Sequence, residues 1–167
     1  MRTCRLAALT LAALAAPAGA AEGEWRWRLL GDGNTPTLVY THTDEGTDNF
    51  DSPRFTCKRA SGKIRVEHVM GVAERKAFAA AIAGGKELAL DLIPPSPRSL
   101  FPEPQYSPAD GWTYGYEIQA DDPAFDRFRA TGIYRYRIGK TPMQSKLTAG
   151  LETVGKFKDA CRRSPSR

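Results

Sequence analysis

Arginines at alternate positions mark two strand-like stretches, Arg26 and Arg28 near the start and Arg135 and Arg137 towards the end. A guanidinium meets a carboxylate or phosphate through paired N–H donors, so four on one face would grip a small anionic ligand. That requires the two strands to be neighbours. Otherwise the arginines belong to a solvated face, their stems lying over apolar surface. His68 alternates with Ile64, Val66 and Met70 and so belongs to an apolar strand face. There a hydrogen-bonded core histidine competes with a ligand-binding or acid–base role. His42 stands beside Asp44, Glu45, Asp48 and Asp51, and the intervening Gly46, Thr47 and Asn49 make this a solvated turn before a cation site. Two histidines in all exclude multi-histidine metal sites and catalysis, and no metal or cofactor is expected.

Gly-x-Ser-x-Gly, His-Glu-x-x-His and Asp-x-Asp-x-Asp-Gly do not occur in the chain. Gly139-Lys140-Thr141 ends like a phosphate loop, but the preceding Gly132 is set too far upstream and the strand–loop–helix order is missing. No catalytic residue is picked out.

The first residues carry Arg2 and Arg5, then an apolar run over 6–16, then Pro17 and the small residues Ala18-Gly19-Ala20. A basic start, a short apolar run and a small-residue exit make a cleavable signal peptide over 1–20, with cleavage near Ala20. The run is too short to span a bilayer, which needs about 20 apolar residues. The expectation is export to the periplasm or beyond, and the heavy use of Ala, Arg and Pro fits a GC-rich Gram-negative source. Cys4 leaves with the leader, so Cys57 and Cys161 remain, and two cysteines in an exported chain form one disulfide. Neither sits in a Cys-x-x-Cys redox motif. The formal charge is +5, and two of those charges leave with the leader. That balance permits weak attraction to anions without calling for nucleic acid.

Behind these residues lie the elements that must position them. Period-two alternation predicts about seven strands. These cover 25–29, 37–42, 54–59, 63–70, 88–92, 112–118 and 133–138. A turn at Ser61-Gly62 makes 54–59 and 63–70 a hairpin. The alternation directs Trp25, Trp27, Trp112, Tyr114 and Tyr116 inward as core. Helices are expected over 74–83, stopped by Gly84-Gly85, over 122–132 with Asp122-Pro123 as its start, and over 147–163. In the last, Leu151, Val154, Phe157, Lys158 and Cys161 recur at helical spacing and carry Cys161 towards the sheet. The segment 94–108 holds six of the 12 prolines and reads as a surface loop.

Trp25-x-Trp27, Phe55-x-Cys57, Asp122-Pro123-x-Phe125, Gly132 and Phe157-x-x-x-Cys161 together resemble a layout of small alphaproteobacterial periplasmic proteins. The chain is also distantly similar to the invasion associated locus B proteins in its exported β-rich layout and late Asp-Pro helix. That resemblance implies no catalytic residue. Phe55-Thr56-Cys57 with the following turn and strand resembles the start of periplasmic lysozyme-inhibitor barrels, whose later loop signatures are absent here. Gly23-x-Trp25 is similar to the opening of a lipocalin first strand.

The expectation is a single β-rich domain over 21–167. It would be a mainly β, antiparallel sandwich or partly open barrel of about seven strands, with short helices and a packed C-terminal helix. Functionally it is read as a monomeric periplasmic binding or protein-interaction module without catalytic activity. Its partner would be a periplasmic protein or a small anionic ligand, with no nucleic acid and no membrane span. The alternatives are an inhibitor of a cell-wall-active enzyme such as lysozyme, working through the 94–110 loop, and an enzyme with an unrecognised site.

Overall fold

The computed structural model describes residues 24–42, 51–85, 90–93, 104–108 and 111–162. The expected leader, the acidic residues 44–48 and most of the proline-rich segment lie outside these residues. Strands β1 (Arg26–Leu30), β2 (Thr37–Thr41), β3 (Asp51–Thr56) and β4 (Lys63–Val69) precede helix α1 (Val72–Ala83). Then come β5 (Leu90–Leu92), β6 (Gln105–Ser107) and β7 (Gly111–Gln119), followed by α2 (Pro123–Thr131). Strands β8 (Ile133–Ile138) and β9 (Thr141–Lys146) lead to α3 (Leu151–Cys161).

The first four strands form a meander that β7 and β6 extend into a six-stranded sheet, ordered β1-β2-β3-β4-β7-β6. A second sheet of three strands is ordered β5-β8-β9, and every pairing is antiparallel. The hairpin expected around Ser61-Gly62 forms in the register Arg54↔Glu67, Phe55↔Val66. The fold is mainly β and has the two-layer form of a sandwich, with no closed barrel.

Aromatic side chains on the inner face of the large sheet decide what covers it. At the β4–β7 end, the Tyr116 hydroxyl meets that of Tyr134 on β8 at 3.0 Å, so the small sheet lies there. At the β1–β3 end the helices take over. Trp27 packs edge-on to Phe128 at 5.2 Å, Phe55 to Phe125 at 5.3 Å, and Phe125 meets Phe157 at 6.2 Å. Each such side chain, withdrawn from water, contributes about 1.5–3 kcal/mol. The outer face is solvated and charged, with Arg54 bound to Glu67 at 2.7 Å and Lys63 facing Glu117 at 3.4 Å.

Local chemistry sets the helix ends. The Asp122 carboxylate accepts from the Ala124 N–H at 2.8 Å, Pro123 follows at the first turn, and Gly132 closes α2 at φ 68°. The disulfide forms between Cys57 and Cys161, 104 residues apart, with Cα atoms at 5.9 Å. Backbone bonds from Ala60 to Ala160 and from Gly62 to Cys161 join the same hairpin turn to the end of α3.

Three expectations are corrected. The last helix starts at Leu151, not at 147, because Gly150 adopts a left-handed φ of 78° and Ala149 instead accepts the Trp27 N–H at 2.9 Å. Trp25 and Trp112 are 42% and 44% exposed, since each sits at the end of its strand, past the reach of the covering layer. Two strands escaped the periodicity: β6 is three residues inside the proline-rich stretch, and β9 carries Pro142 and mostly polar side chains. Both are edge strands, where a missing N–H is tolerated.

Candidate functional site

The structure separates the arginine pairs. Arg26 and Arg28 lie on β1, an edge of the large sheet, whereas Arg135 and Arg137 lie on β8, the centre of the small one. Because Trp27 and Tyr136 are both buried towards the shared core, alternation turns the two pairs outward on opposite layers. Arg26 faces Glu152 at 3.9 Å with both side chains exposed, and Arg28 donates from Nε to the Thr41 carbonyl at 3.3 Å. The four guanidinium groups do not converge. Strand adjacency was the premise of the anion grip, and it does not hold.

His68 is 1% exposed, and its ring lies flat on Tyr114 with centroids 4.7 Å apart. Its Nε2 is 3.2 Å from the Tyr116 hydroxyl and its Nδ1 is 3.3 Å from Ser52 Oγ. Tyr116 donates onward to Tyr134, an arrangement that suits a proton on Nε2 with Nδ1 accepting from Ser52. Burial pushes the imidazole down from 6.5 to about 3, so it is neutral in neutral solution. Beside it Tyr114 donates to Tyr136 at 3.1 Å, and Tyr136 donates to Glu74 Oε1 at 3.1 Å. Burial raises all four phenols well above the usual tyrosine value. These groups satisfy one another inside the core, where an unpaired polar atom is costly.

An apolar pocket of about 360 Å³ opens beside α1, along a face that shares Phe78 with the core. The helix supplies Arg75, Phe78, Ala79 and Ile82, residues spaced i, i+3, i+4, i+7 and hence on one face. Met70 at the end of β4, Trp112 at the start of β7 and Pro104 beside β6 complete the wall. The reason lies in the composition of α1. It buries Ala77, Phe78 and Ala81, yet it also carries Val72 and Ile82, which are 61% and 60% exposed. A helix apolar around most of its circumference has more apolar surface than one contact can cover. The pocket is near the lower end of the size range usual for small-ligand sites, about 300–1,000 Å³. Its one charged wall residue among the described residues is Arg75.

Sequence reasoning missed this site. The signal was present in the Arg75-Phe78-Ala79-Ile82 spacing, but a short alanine-rich helix shows the same spacing when it only packs. The cation-site candidate at His42 is described only in part. Its ring lies 4.9 Å from that of Trp25, Asp51 bonds the Ser52 N–H at 2.9 Å, and Asp44, Glu45 and Asp48 lie outside the described residues. Of the loop expected to serve an inhibitor, 104–108 are described, and three of these form β6. Among the described residues no helix is long and apolar enough to cross a membrane.

No protein-family model, curated protein or solved structure matches the chain.

Proposed function

We propose that this protein is an exported binding module without catalytic activity, and that its recognition site is the pocket between α1 and the β6–β7 end of the large sheet. The observation that carries the reading is the Arg75-Phe78-Ala79-Ile82 face of α1, where Phe78 packs into the core and the exposed Ile82 is left to line a concave space beside it. Large apolar side chains such as Ile82 and Trp112 gathered around one concavity form the kind of wall that small-ligand sites use. The leader-like start and the Cys57–Cys161 bridge support export, because such a bridge persists in oxidising compartments. His68 and the four tyrosines, the side chains best suited to proton transfer, are engaged with one another in the core and are not among the described residues that line this pocket.

The test uses N-phenyl-1-naphthylamine, an uncharged dye that fluoresces in apolar surroundings. The purified protein should bind it one to one, and Ile82→Glu should abolish the signal while leaving the circular dichroism spectrum unchanged. Absence of binding, or equal binding by the variant, would refute the reading.

A further inference from the structure

Resting on that reading, we infer that the pocket takes a single-chain fatty carboxylate, the acyl chain lying along Met70, Phe78, Ile82 and Trp112 and the carboxylate facing Arg75. Three observations combine. Among the described residues the wall is hydrocarbon and aromatic apart from one guanidinium. That guanidinium has no ion-pair partner among the described residues. The adjacent acid, Glu74, is engaged elsewhere, accepting from Tyr136 at 3.1 Å, so it does not neutralise Arg75. A pocket with one cation at an otherwise apolar wall is complementary to a ligand with one anionic end and an apolar remainder.

Size narrows the class further. About 360 Å³ is small for a ligand site, which favours one chain over a two-chain lipid. A carboxylate matches the planar fork of Arg75 through two parallel N–H···O bonds, a fit that an alcohol of the same length lacks. The neighbouring exposed Tyr106, whose ring lies 5.5 Å from that of Trp112, extends the apolar surface beyond the pocket.

Calorimetry with octanoate, decanoate and decan-1-ol, each below its aggregation concentration, tests the inference on the protein and on Arg75→Gln and Ile82→Glu. Decanoate should bind one to one, roughly fifteenfold tighter than octanoate, since each of its two further buried methylenes is worth about fourfold. It should also bind about five- to twentyfold tighter than decan-1-ol, the lower part of the range for a charge-assisted bond because Arg75 is exposed. Arg75→Gln should remove the carboxylate advantage and leave decan-1-ol unaffected, and Ile82→Glu should weaken both. If Arg75→Gln leaves the ratio of decanoate to decan-1-ol unchanged, the anion inference fails while the binding reading stands. If neither compound binds, or Ile82→Glu changes nothing, both fail together.

Discussion

Acid should destabilise this protein through His68, by an amount that follows from its burial. In the unfolded chain the imidazole titrates near 6.5, whereas in the folded core it is held down to about 3. Between these values the unfolded state binds a proton that the native state refuses. Stability is therefore fully present above about pH 6.5 and is lost as pH falls towards about 3. Each pH unit in that window costs about 1.4 kcal/mol, so moving from pH 7.5 to 4.5 should remove about 3 kcal/mol through this one group. That is a large share of the 5–15 kcal/mol typical of a domain. Urea unfolding across the range measures the total loss, to which surface carboxylates also contribute. The His68→Gln variant isolates the histidine. It should be less stable at pH 7.5, having lost the stack on Tyr114, but the gap to the natural protein should shrink by about 3 kcal/mol at pH 4.5. A gap independent of pH would refute the reasoning, as would an NMR signal of His68 that titrates near 6.5 in the folded protein.

Replacing Cys57 with Ser should cost a few kcal/mol, up to about 4–5 for so long a loop, and an unchanged melting temperature would show that the bridge contributes nothing. Lys158 is 4% exposed and reaches Asp126 on α2, so Asp126→Ala should cost about 2–3 kcal/mol by stranding the ammonium; the estimate is moderated because Asp126 is partly exposed. Lys158→Met should by contrast be neutral to within about 1 kcal/mol, and equal losses in the two variants would refute the account. Gly150→Ala should cost about 2 kcal/mol or more, because φ is 78° and a Cβ would stand 2.9 Å from the Trp27 carbonyl oxygen; denaturant midpoints compare the two proteins.

Strand faces and helix ends were legible where single residues or a clean period set them. Tyr114, Tyr116 and Ile118 alternate with polar neighbours and face the core as expected, as do Ile64, Val66 and His68 opposite them. Asp122-Pro123 and Gly132 bound α2 because a carboxylate cap, a fixed φ and a left-handed turn are properties of single residues. The expectation that Cys4 leaves with a leader sufficed to pair Cys57 with Cys161 without any knowledge of strand order. Where a strand departs from its period, as in β9 with Pro142, or is only three residues long, as in β6, the local signal fades.

The sequence by itself determined most strand faces and the two ends of α2, which follow from side-chain type and spacing along one segment, and the disulfide, which follows from cysteine count. Tertiary structure alone decided that β1 and β8 belong to different sheets, so that Arg26 and Arg28 are parted from Arg135 and Arg137. It also left Trp25 and Trp112 at the margins of the covering layer and turned the spare face of α1 towards Met70, Pro104 and Trp112. Periodicity reports which side of an element is apolar, but what meets that side depends on pairings between residues far apart in the chain. The pocket is built from three such segments, and no one of them announces it.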